Sequence, residues 1–312
     1  MRRWVALLAC LVLTAAVAGC SRPAPPVPRL VIAGGAPGEV SLALAEGLAD
    51  AARAEWSIPV EVRQTSGSTD NLELIADGRA DVAFATVDAA LAARDGEKPF
   101  NGTVGLAALA GLYDDYLHLI VRADSGLHSL ADLSGRPVAA GPPGSAAGAL
   151  VDRLGLTPLP HDESRSIAPA AAAEALTAGT IDGLAVTGGL PMPLVTDLEA
   201  RVAIRLIPLG AEVAVLQARY GERYLARTVP ATMYGLATET PTVGIRAVLV
   251  VRANLPESTA FALTRLLFRA KDRLIARHAE ARRLDPRQAL DTGALPLHPG
   301  AARYFRETKP MV

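Results

Sequence analysis

Cysteine and histidine are scarce in this sequence, which restricts the chemistry it can carry. Two cysteines and five histidines occur among 312 residues. The histidines are His118, His128, His161, His278 and His298. No two of them have a spacing that suits a zinc site, so we expect no metal centre. Cys10 and Cys20 both precede the expected fold, so we expect no disulfide.

The sequence also lacks an excess of charge of either sign. The formal net charge is −1, with half of the residues apolar and 20% charged. A chain without a basic face is a poor match for nucleic acid, whereas this composition is typical of a globular protein.

Three common enzyme motifs are absent. The chain contains no Gly-x-x-x-x-Gly-Lys-Ser/Thr run and no Gly-x-Ser-x-Gly elbow. Gly34–Gly38 reads Gly-Gly-Ala-Pro-Gly and departs from the dinucleotide fingerprint. We expect neither catalysis nor a cofactor; an exported hydrolase with an unrecognised site is the remaining alternative from the enzyme class.

The first 19 residues have the order of parts of an export signal. Arg2 and Arg3 precede an apolar stretch from Trp4 to Val17, and small residues lead to Cys20. Val-Ala-Gly-Cys resembles the bacterial lipobox, which implies a lipid on Cys20. An ordinary secretory signal is the alternative. Residues 20–28 are rich in proline and predict an extended linker that separates the fold from a membrane.

After the linker, short strand-like and helix-like segments alternate, which predicts an α/β architecture. Leu117–Arg122 and Ala247–Arg252 are matched apolar runs. We interpret them as strands that cross between two lobes, with lobe 1 formed by residues 29–120 and 248–312 and lobe 2 by residues 121–247. Two unrelated core strands are the alternative.

Two further segments receive structural interpretations. A seven-residue apolar repeat predicts one packing helix from Ser258 to Arg283. His298, between Leu297 and Pro299, is interpreted as part of a turn that docks the last helix. Asp114 and Asp115 form an acidic pair, which we interpret as solvated loop residues.

Three glycine- or serine-rich junctions each join a predicted strand to a predicted helix. They are residues 34–38, 65–71 and 141–147. Amide N–H groups at helix starts favour anions, so the sequence predicts a cleft for a carboxylate. Arg63 is the only basic residue next to these junctions in the sequence, and strand alternation puts it on the Glu61 face. We therefore expect Ser68, Ser145 and backbone amides to hold the anion without an arginine.

From Leu30 onward the chain resembles the TAXI-class receptors of tripartite ATP-independent periplasmic (TRAP) transporters. The matching stretches include Thr65–Leu72, Gly78–Val82 leading to Asp88, Leu117–Arg122, Gly141–Ser145 and Leu297–Ala301.

The resemblance implies a type II periplasmic binding-protein fold, with two α/β lobes around a ligand cleft. It implies a small anionic ligand, such as glutamate or a dicarboxylate, and a membrane transporter as partner. The implied ligand-binding residues are Ser66, Ser68, Asn71, Asp88, Gly144, Ser145, Ala146, Thr187, Gly188 and Gly189. Two positions depart from the family: Val40 and Ser41 replace a tyrosine pair, and Ala146–Ala147 replaces Gly-Thr.

The sequence thus predicts an exported receptor, lipid-anchored at the outer face of the cytoplasmic membrane or in the periplasm. A receptor of the same fold that presents its ligand to a membrane sensor protein is the alternative.

Overall fold

The computed structural model describes residues 27–141, 144–156 and 167–308. The predicted export signal, the lipobox and most of the proline-rich linker lie outside the described residues. So does His161.

Strands and helices alternate through the chain, and the described strands form one mixed sheet in the order β2-β1-β3-β9-β4-β6-β5, with β7 beside β4 and β8 beside β9. The strands are β1 (Leu30–Gly35), β2 (Val60–Gln64), β3 (Val82–Thr86), β4 (Leu106–Arg122), β5 (Val138–Ala139), β6 (Gly183–Gly188), β7 (Ile204–Leu206), β8 (Leu225–Val229) and β9 (Thr240–Arg252). The helices are α1 (Val40–Trp56), α2 (Ser68–Ala76), α3 (Val87–Asp95), α4 (Ala146–Arg153), α5 (Pro169–Ala178), α6 (Pro193–Glu199), α7 (Gly210–Tyr220), α8 (Glu257–Arg269), α9 (Lys271–Arg277) and α10 (Pro299–Glu307).

Two long strands connect the halves of the sheet. β4 has 17 residues and β9 has 13, so both begin earlier than the apolar runs predicted. They pair antiparallel over most of their length, from Leu106 opposite Arg252 to Tyr116 opposite Gly244.

Apolar residues cover both faces of each half of the sheet. Along β1, Leu30 and Ile32 enter one cluster while Val31 and Ala33 enter another. Separate clusters form around the later part of β4 and the beginning of β9. On β4 the change of cluster falls between Tyr113 and Tyr116, and on β9 between Ile245 and Ala247. The lobe boundaries at residues 121 and 248 stay a prediction. These clusters favour a crossing at residues 113–116 on β4 and at residues 245–247 on β9.

The C-terminal third differs from the predicted single helix over Ser258–Arg283. The segment divides into α8, α9 and a 3₁₀ turn over Ala279–Arg283. His278 has extended backbone angles and its Nδ1 accepts the Glu280 N–H at 3.2 Å, so it ends one helix and caps the turn. The repeat residues Phe261, Phe268 and Ile275 do pack against the core.

His298 is buried and caps α10, because its Nδ1 accepts the Gly300 N–H at 3.1 Å. This capping role agrees with the structural interpretation of the residue.

Candidate functional site

The carboxyl ends of β1, β2 and β3 lie at one edge of the first half of the sheet, because these strands are parallel. The junctions at residues 34–38 and 65–71 follow β1 and β2. The third junction, at residues 141–147, follows β5 in the other half. Its residues 142–143 lie outside the described residues.

The second and third junctions contact each other. A Cβ on Gly67 would lie 3.5 Å from both the Gly144 carbonyl oxygen and the Ser145 Cα. Gly67 has φ +144°, a conformation that favours glycine. A Cβ on Gly144 would lie 3.2 Å from the Thr69 Cβ. The two halves of the molecule therefore close on each other at these loops.

A cavity of about 60 Å³ remains where the loops meet, and we call it the serine pocket. Its lining includes the predicted residues Ser68, Asp88, Gly144, Ser145 and Ala146. Ser66 and Asn71 do not line it. A volume of this size holds one or two water molecules, so binding of an organic solute requires the halves to move apart.

The junction donors are largely used within the protein. Asp70 accepts the Ser66 N–H at 3.0 Å and the Ser66 hydroxyl at 2.6 Å. Glu39 accepts the Ala36 N–H and the Ser41 hydroxyl, both at 3.0 Å. Two of the three junctions thus present their own carboxylates where we expected free amides for an anionic ligand.

Asn71 is also fixed internally. Its side-chain amide donates to the Phe84 carbonyl at 2.8 Å and its oxygen accepts from the Thr65 hydroxyl at 2.7 Å. The residue is 1% exposed. Asn71 therefore ties the start of α2 to β3.

The two pocket serines differ in what they can still donate. Ser145 caps α4: its hydroxyl donates to the Ala140 carbonyl and accepts the Gly148 N–H, each at 3.2 Å. Ser68 accepts the Thr86 N–H at 3.1 Å and makes a longer contact with the Thr86 hydroxyl. The Ser68 hydroxyl proton is therefore the one that can turn toward a ligand.

An ion pair crosses the closed cleft at the serine pocket. Arg153 of α4 donates to the Asp88 Oδ2 at 2.8 Å, and the Tyr224 hydroxyl donates to the same oxygen at 3.1 Å. Arg153 also contacts the Tyr224 hydroxyl, and its guanidinium carbon lies 4.9 Å from the centre of the Tyr220 ring. The sequence argument missed Arg153, because it considered only neighbours along the chain.

One carboxylate oxygen of Asp88 takes no part in these contacts. The residue is 1% exposed, and its Oδ1 has no hydrogen-bond partner among the described residues. A buried carboxylate oxygen without a donor is costly, so this atom is available to a ligand donor.

A second ion pair crosses the cleft beyond Asp88. Arg223 donates to Glu97 through two nitrogens at 2.8 Å and to Asp95 at 3.0 Å. The hydrogen bond from Arg223 is the largest cause that lowers the pKa of Glu97, while the hydrogen bond from Arg94 is the largest that lowers the pKa of Asp95.

Asp114 and Asp115 lie within β4, so the interpretation of both as solvated loop residues is wrong. Asp114 accepts from Arg227 at 2.8 Å and from Arg246 at 2.5 Å. The Asp115 carboxylate makes no ion pair or hydrogen bond with the described part of the chain. Adjacent strand residues point to opposite faces, and this explains why their surroundings differ.

Burial raises the pKa of Asp115 well above its ordinary value, and the charges of nearby carboxylates raise it further; in decreasing order these are Glu39, Glu280, Asp114 and Asp88. The Asp115 side chain still keeps part of its surface accessible. We call Asp115, Glu39 and Glu280 the acidic recess, because the charges of Glu39 and Glu280 raise the pKa of Asp115.

Thr187, Gly188 and Gly189 lie beside this recess and not in the serine pocket. Gly188 pairs with Tyr116 on β4, and a Cβ on Gly189 would lie 2.5 Å from the Glu280 Cγ. Glu280 accepts the Leu190 N–H at 3.1 Å and lies 3.0 Å from the Arg283 Nε. These three predicted ligand-binding residues therefore lie at the end of the cleft that contains Glu280.

A larger groove of about 320 Å³ lies elsewhere, beside Ala76, Val104 and Arg252 at the far end of β9. Arg252 is the one charged side chain among its lining residues. The serine pocket, with its converging polar groups, is the better candidate for a ligand site.

Similar architectures occur among solved structures. XAC2383 from Xanthomonas citri, bound to ATP, is 17% identical with a TM-score of 0.52 over 90% of this chain and 95% of that one. MatC from Rhodopseudomonas palustris, with bound malate, is 17% identical with a TM-score of 0.52 over 82% and 89%. The periplasmic binding protein BugD is 14% identical with a TM-score of 0.51 over 81% and 86%.

The α/β sheet with interleaved helices is therefore a periplasmic binding-protein fold, as the sequence predicted. Residues 32–308 match the model of the NMT1-like family, and the chain belongs to that family. The finer TAXI-class assignment stays a prediction. No helix in the described parts of the chain combines the length and apolar character needed to cross a bilayer.

Proposed function

We propose that the protein is a solute-binding receptor without catalytic activity, exported and held at a membrane by a lipid on Cys20. It captures a small organic acid, of the size of an amino acid or a dicarboxylate, between lobe 1 and lobe 2. It delivers the solute to a TRAP-type transporter of the TAXI class.

One observation carries the proposal. Loops from both halves of the sheet meet around a pocket that contains Ser68, Asp88 and Arg153. Periplasmic binding-protein folds place ligands at such strand ends, between lobes that close by a hinge. The family match over residues 32–308 and the lipobox-like sequence at residues 17–20 support export and solute capture.

The contacts in the pocket narrow how an acid group would be held. The Ser68 hydroxyl has a proton to donate, and Arg153 can turn from Asp88 toward a carboxylate as the cleft opens. Ser145 already donates to Ala140. Arg63 lies away from this arrangement, paired with Glu61 at 2.7 Å on a more exposed face.

Binding is tested by heating the full-length protein with a panel of anionic, zwitterionic, cationic and uncharged metabolites, since a bound ligand raises apparent stability. For the strongest hit, titration calorimetry should show that Ser68→Ala weakens binding by about 1–2 kcal/mol, with Arg63→Ala as the matched control that changes little. A panel without hits, or a hit that tolerates Ser68→Ala, contradicts the proposed site.

The anchor is tested separately. Cys20→Ser should yield an exported protein that leaves the membrane fraction, because the acylated side chain is gone. Retention of this variant in the membrane pellet, at the level of the parent, contradicts lipidation at Cys20.

A further inference from the structure

The ion pair in the serine pocket joins two helices that belong to different halves of the molecule. Asp88 lies in the first turn of α3, and Arg153 is the last residue of α4. The Arg153 Nη1 lies 2.8 Å from the Asp88 Oδ2, and both residues line the pocket. The pair therefore bridges the space that a solute would have to enter.

The groups that hold Asp88 are those that would hold the acid group of a solute. Arg153 and the Tyr224 hydroxyl both donate to the Asp88 Oδ2, at 2.8 Å and 3.1 Å. Arg153 also donates to the Tyr224 hydroxyl. A guanidinium and a hydroxyl that converge on one carboxylate oxygen form strong charge-assisted hydrogen bonds with any carboxylate of suitable position. Asp88 thus supplies, from within the chain, the group that these donors recognise.

Burial makes Arg153 dependent on a negative partner. The Arg153 side chain is 15% exposed and the Asp88 side chain 1% exposed. Lys98, the other basic residue of the pocket lining, is exposed. A largely buried guanidinium is costly without a carboxylate. Arg153 can therefore leave Asp88 at low cost only when another acid replaces it or when water reaches it.

The bridge and a bound organic acid exclude each other. With the bridge formed, the pocket measures about 60 Å³, which is room for one or two water molecules. Ala89 and Ala92 of α3 and Ala146 and Ala149 of α4 line the pocket beside the pair. An acid of several heavy atoms fits only when α3 and α4 move apart. That movement breaks a 2.8 Å contact between them.

The second oxygen of Asp88 makes the bridge easier to break. The Asp88 Oδ1 is buried and has no hydrogen-bond partner among the described residues. An unsatisfied buried acceptor reduces the net stabilisation that the pair provides. This oxygen can be hydrated when the cleft opens, which offsets part of the loss of the ion pair.

We propose that Asp88 is a built-in competitor for the acid group of the solute. It holds Arg153 in the bridged form, and the solute binds by replacing Asp88 on the guanidinium. The inference rests on the proposed function and specifies which residue limits its affinity. Asp88, which the family resemblance places among the ligand-binding residues, then opposes binding. A solute without an acid group cannot replace Asp88, so the bridge also selects for acids.

The test compares the full-length parent protein with Asp88→Asn, which keeps the shape of the side chain and removes its charge. The probes are acetate, propionate, succinate and glutarate, with acetamide and propionamide as uncharged counterparts. Melting temperature and titration calorimetry give the response. Asp88→Asn should bind the best carboxylate at least about tenfold more tightly than the parent, because apparent affinity rises with the fraction of protein whose arginine is free. The amides should gain nothing.

Glu73→Gln is the matched control for the change of charge. Glu73 is an exposed acid of α2 that does not line the serine pocket, so this variant should bind the carboxylates as the parent does.

Tyr224→Phe gives a second variant with the same expected direction, should Asp88→Asn fail to fold. It keeps both charges and removes the hydroxyl that contacts both members of the pair. Tyr224 acts through the bridge as a positioning residue, so the gain in carboxylate affinity should be smaller, about two- to threefold.

The state of Arg153 can also be measured without any solute. Phenylglyoxal modifies accessible guanidinium groups, and peptide mass spectrometry reports the rate at each arginine. The rate at Arg153 should rise in Asp88→Asn and, less, in Tyr224→Phe. Arg63, which is paired with Glu61 away from the pocket, serves as the internal reference.

Weaker carboxylate binding in Asp88→Asn would mean that Asp88 holds the solute, and unchanged binding that the pair does not compete. An equal gain for the amides would mean that the cleft has merely opened. Faster modification of Arg153 without a gain in carboxylate affinity would make the pair purely structural. Each of these results overturns the competitor role.

The competitor role and the receptor function can fail separately. A hit elsewhere in the metabolite panel, with no response to the carboxylates in either the parent or Asp88→Asn, removes the competitor and keeps the receptor. A parent protein that responds to no member of that panel contradicts the receptor function itself.

Discussion

The two acidic groups of the cleft differ in how their charge is balanced. Near the serine pocket, Asp88 is paired with Arg153, and Asp95 and Glu97 share Arg223. In the acidic recess, Asp115 and Glu39 have no basic partner in the described chain. The paired acids join the two halves of the molecule, whereas Asp115 and Glu39 form no ion pair across the cleft within the described residues.

The difference arises from the alternation of side chains along one strand. Asp114 and Asp115 are neighbours, yet one is held by Arg227 and Arg246 and the other faces carboxylates. Strand alternation alone gives this contrast. An acid held by arginines and an adjacent acid without them can therefore be told apart only once the strand is known.

The largest effect is expected from Arg153→Met, which leaves the carboxylate of Asp88 buried without its partner. Removing one member of a buried ion pair costs about 3–5 kcal/mol, unless the cleft opens to hydrate the remaining charge. We expect a lower free energy of unfolding, measured by denaturant titration, together with a larger radius of gyration in small-angle scattering.

The double variant Asp88→Asn with Arg153→Met should recover most of that loss, because no buried charge is then left unpaired. If Arg153→Met alone leaves stability and radius unchanged, this pair does not hold the cleft closed.

The second prediction concerns His118, which is a buried residue of the crossing strand β4. Its titration must be separated from that of the acidic recess in any pH experiment. Burial lowers the pKa of His118 from 6.5 to about 4, while its ring nitrogens contact the Tyr116 carbonyl and the Tyr234 hydroxyl. The unfolded chain binds a proton below pH 6.5 that the folded protein does not bind until about pH 4. Stability is therefore lost as pH falls through this window, by about 3 kcal/mol.

His118→Gln should remove most of this pH dependence. Free energies of unfolding between about pH 7 and about pH 4 give the comparison with the parent. An unchanged slope in the variant assigns the acid sensitivity to other groups.

Much of the fold could be predicted, because hydrophobic periodicity and turn-forming residues are local features of the sequence. Each of the three predicted junctions does join a strand to a helix: β1 to α1, β2 to α2 and β5 to α4. The prediction failed for the early parts of β4 and β9. The sequence shows no clear hydrophobic alternation over Ala107–Leu112 or over Thr240–Val243. The first segment becomes a strand by pairing with β9 and the second by pairing with β8.

The site was less predictable, since its decisive partners are distant in sequence. Arg153 and Asp88 are 65 residues apart, and Tyr224 is 136 residues from Asp88. The loop sequences indicated which segments converge. They gave no sign that Asp70 and Glu39 accept the N–H and hydroxyl groups of those loops. The one available signal was the adjacent pair Asp114–Asp115 next to an apolar run, which is a costly pattern inside a strand.

A smaller effect is expected from Asp115→Asn in the ligand-free protein, with Asp114→Asn as its neighbour on the opposite face. A carboxylate whose pKa is raised on folding keeps its proton to higher pH in the folded state, so its contribution to stability falls as pH rises. Removing the charge of Asp115 should therefore stabilise the protein at about pH 8, by about 1 kcal/mol. Asp114→Asn should destabilise it, because Arg227 and Arg246 lose the carboxylate that they share.

Thermal unfolding of both variants at about pH 8 and at about pH 5 decides the matter. The gain in Asp115→Asn should shrink at the lower pH, because the raised pKa of Asp115 favours its protonated form in the folded parent as pH falls. Destabilisation by both substitutions would show that Asp115 has a balancing contact and that the contrast across β4 is wrong.

The smallest effect is expected from Arg223→Gln, which removes the second ion pair across the cleft. The Arg223 side chain is 11% exposed, but its partners Asp95 and Glu97 are 35% and 43% exposed, so water and salt screen them. Such a pair contributes at most about 1 kcal/mol, and both carboxylates can be hydrated once the arginine is gone. We expect a small loss of stability that nearly disappears in high salt, whereas the loss in Arg153→Met should persist. Denaturant titrations of the two variants at low and high salt give this comparison directly. An equal and salt-resistant loss in both variants would mean that closure is shared along the cleft and is not concentrated at the buried Asp88.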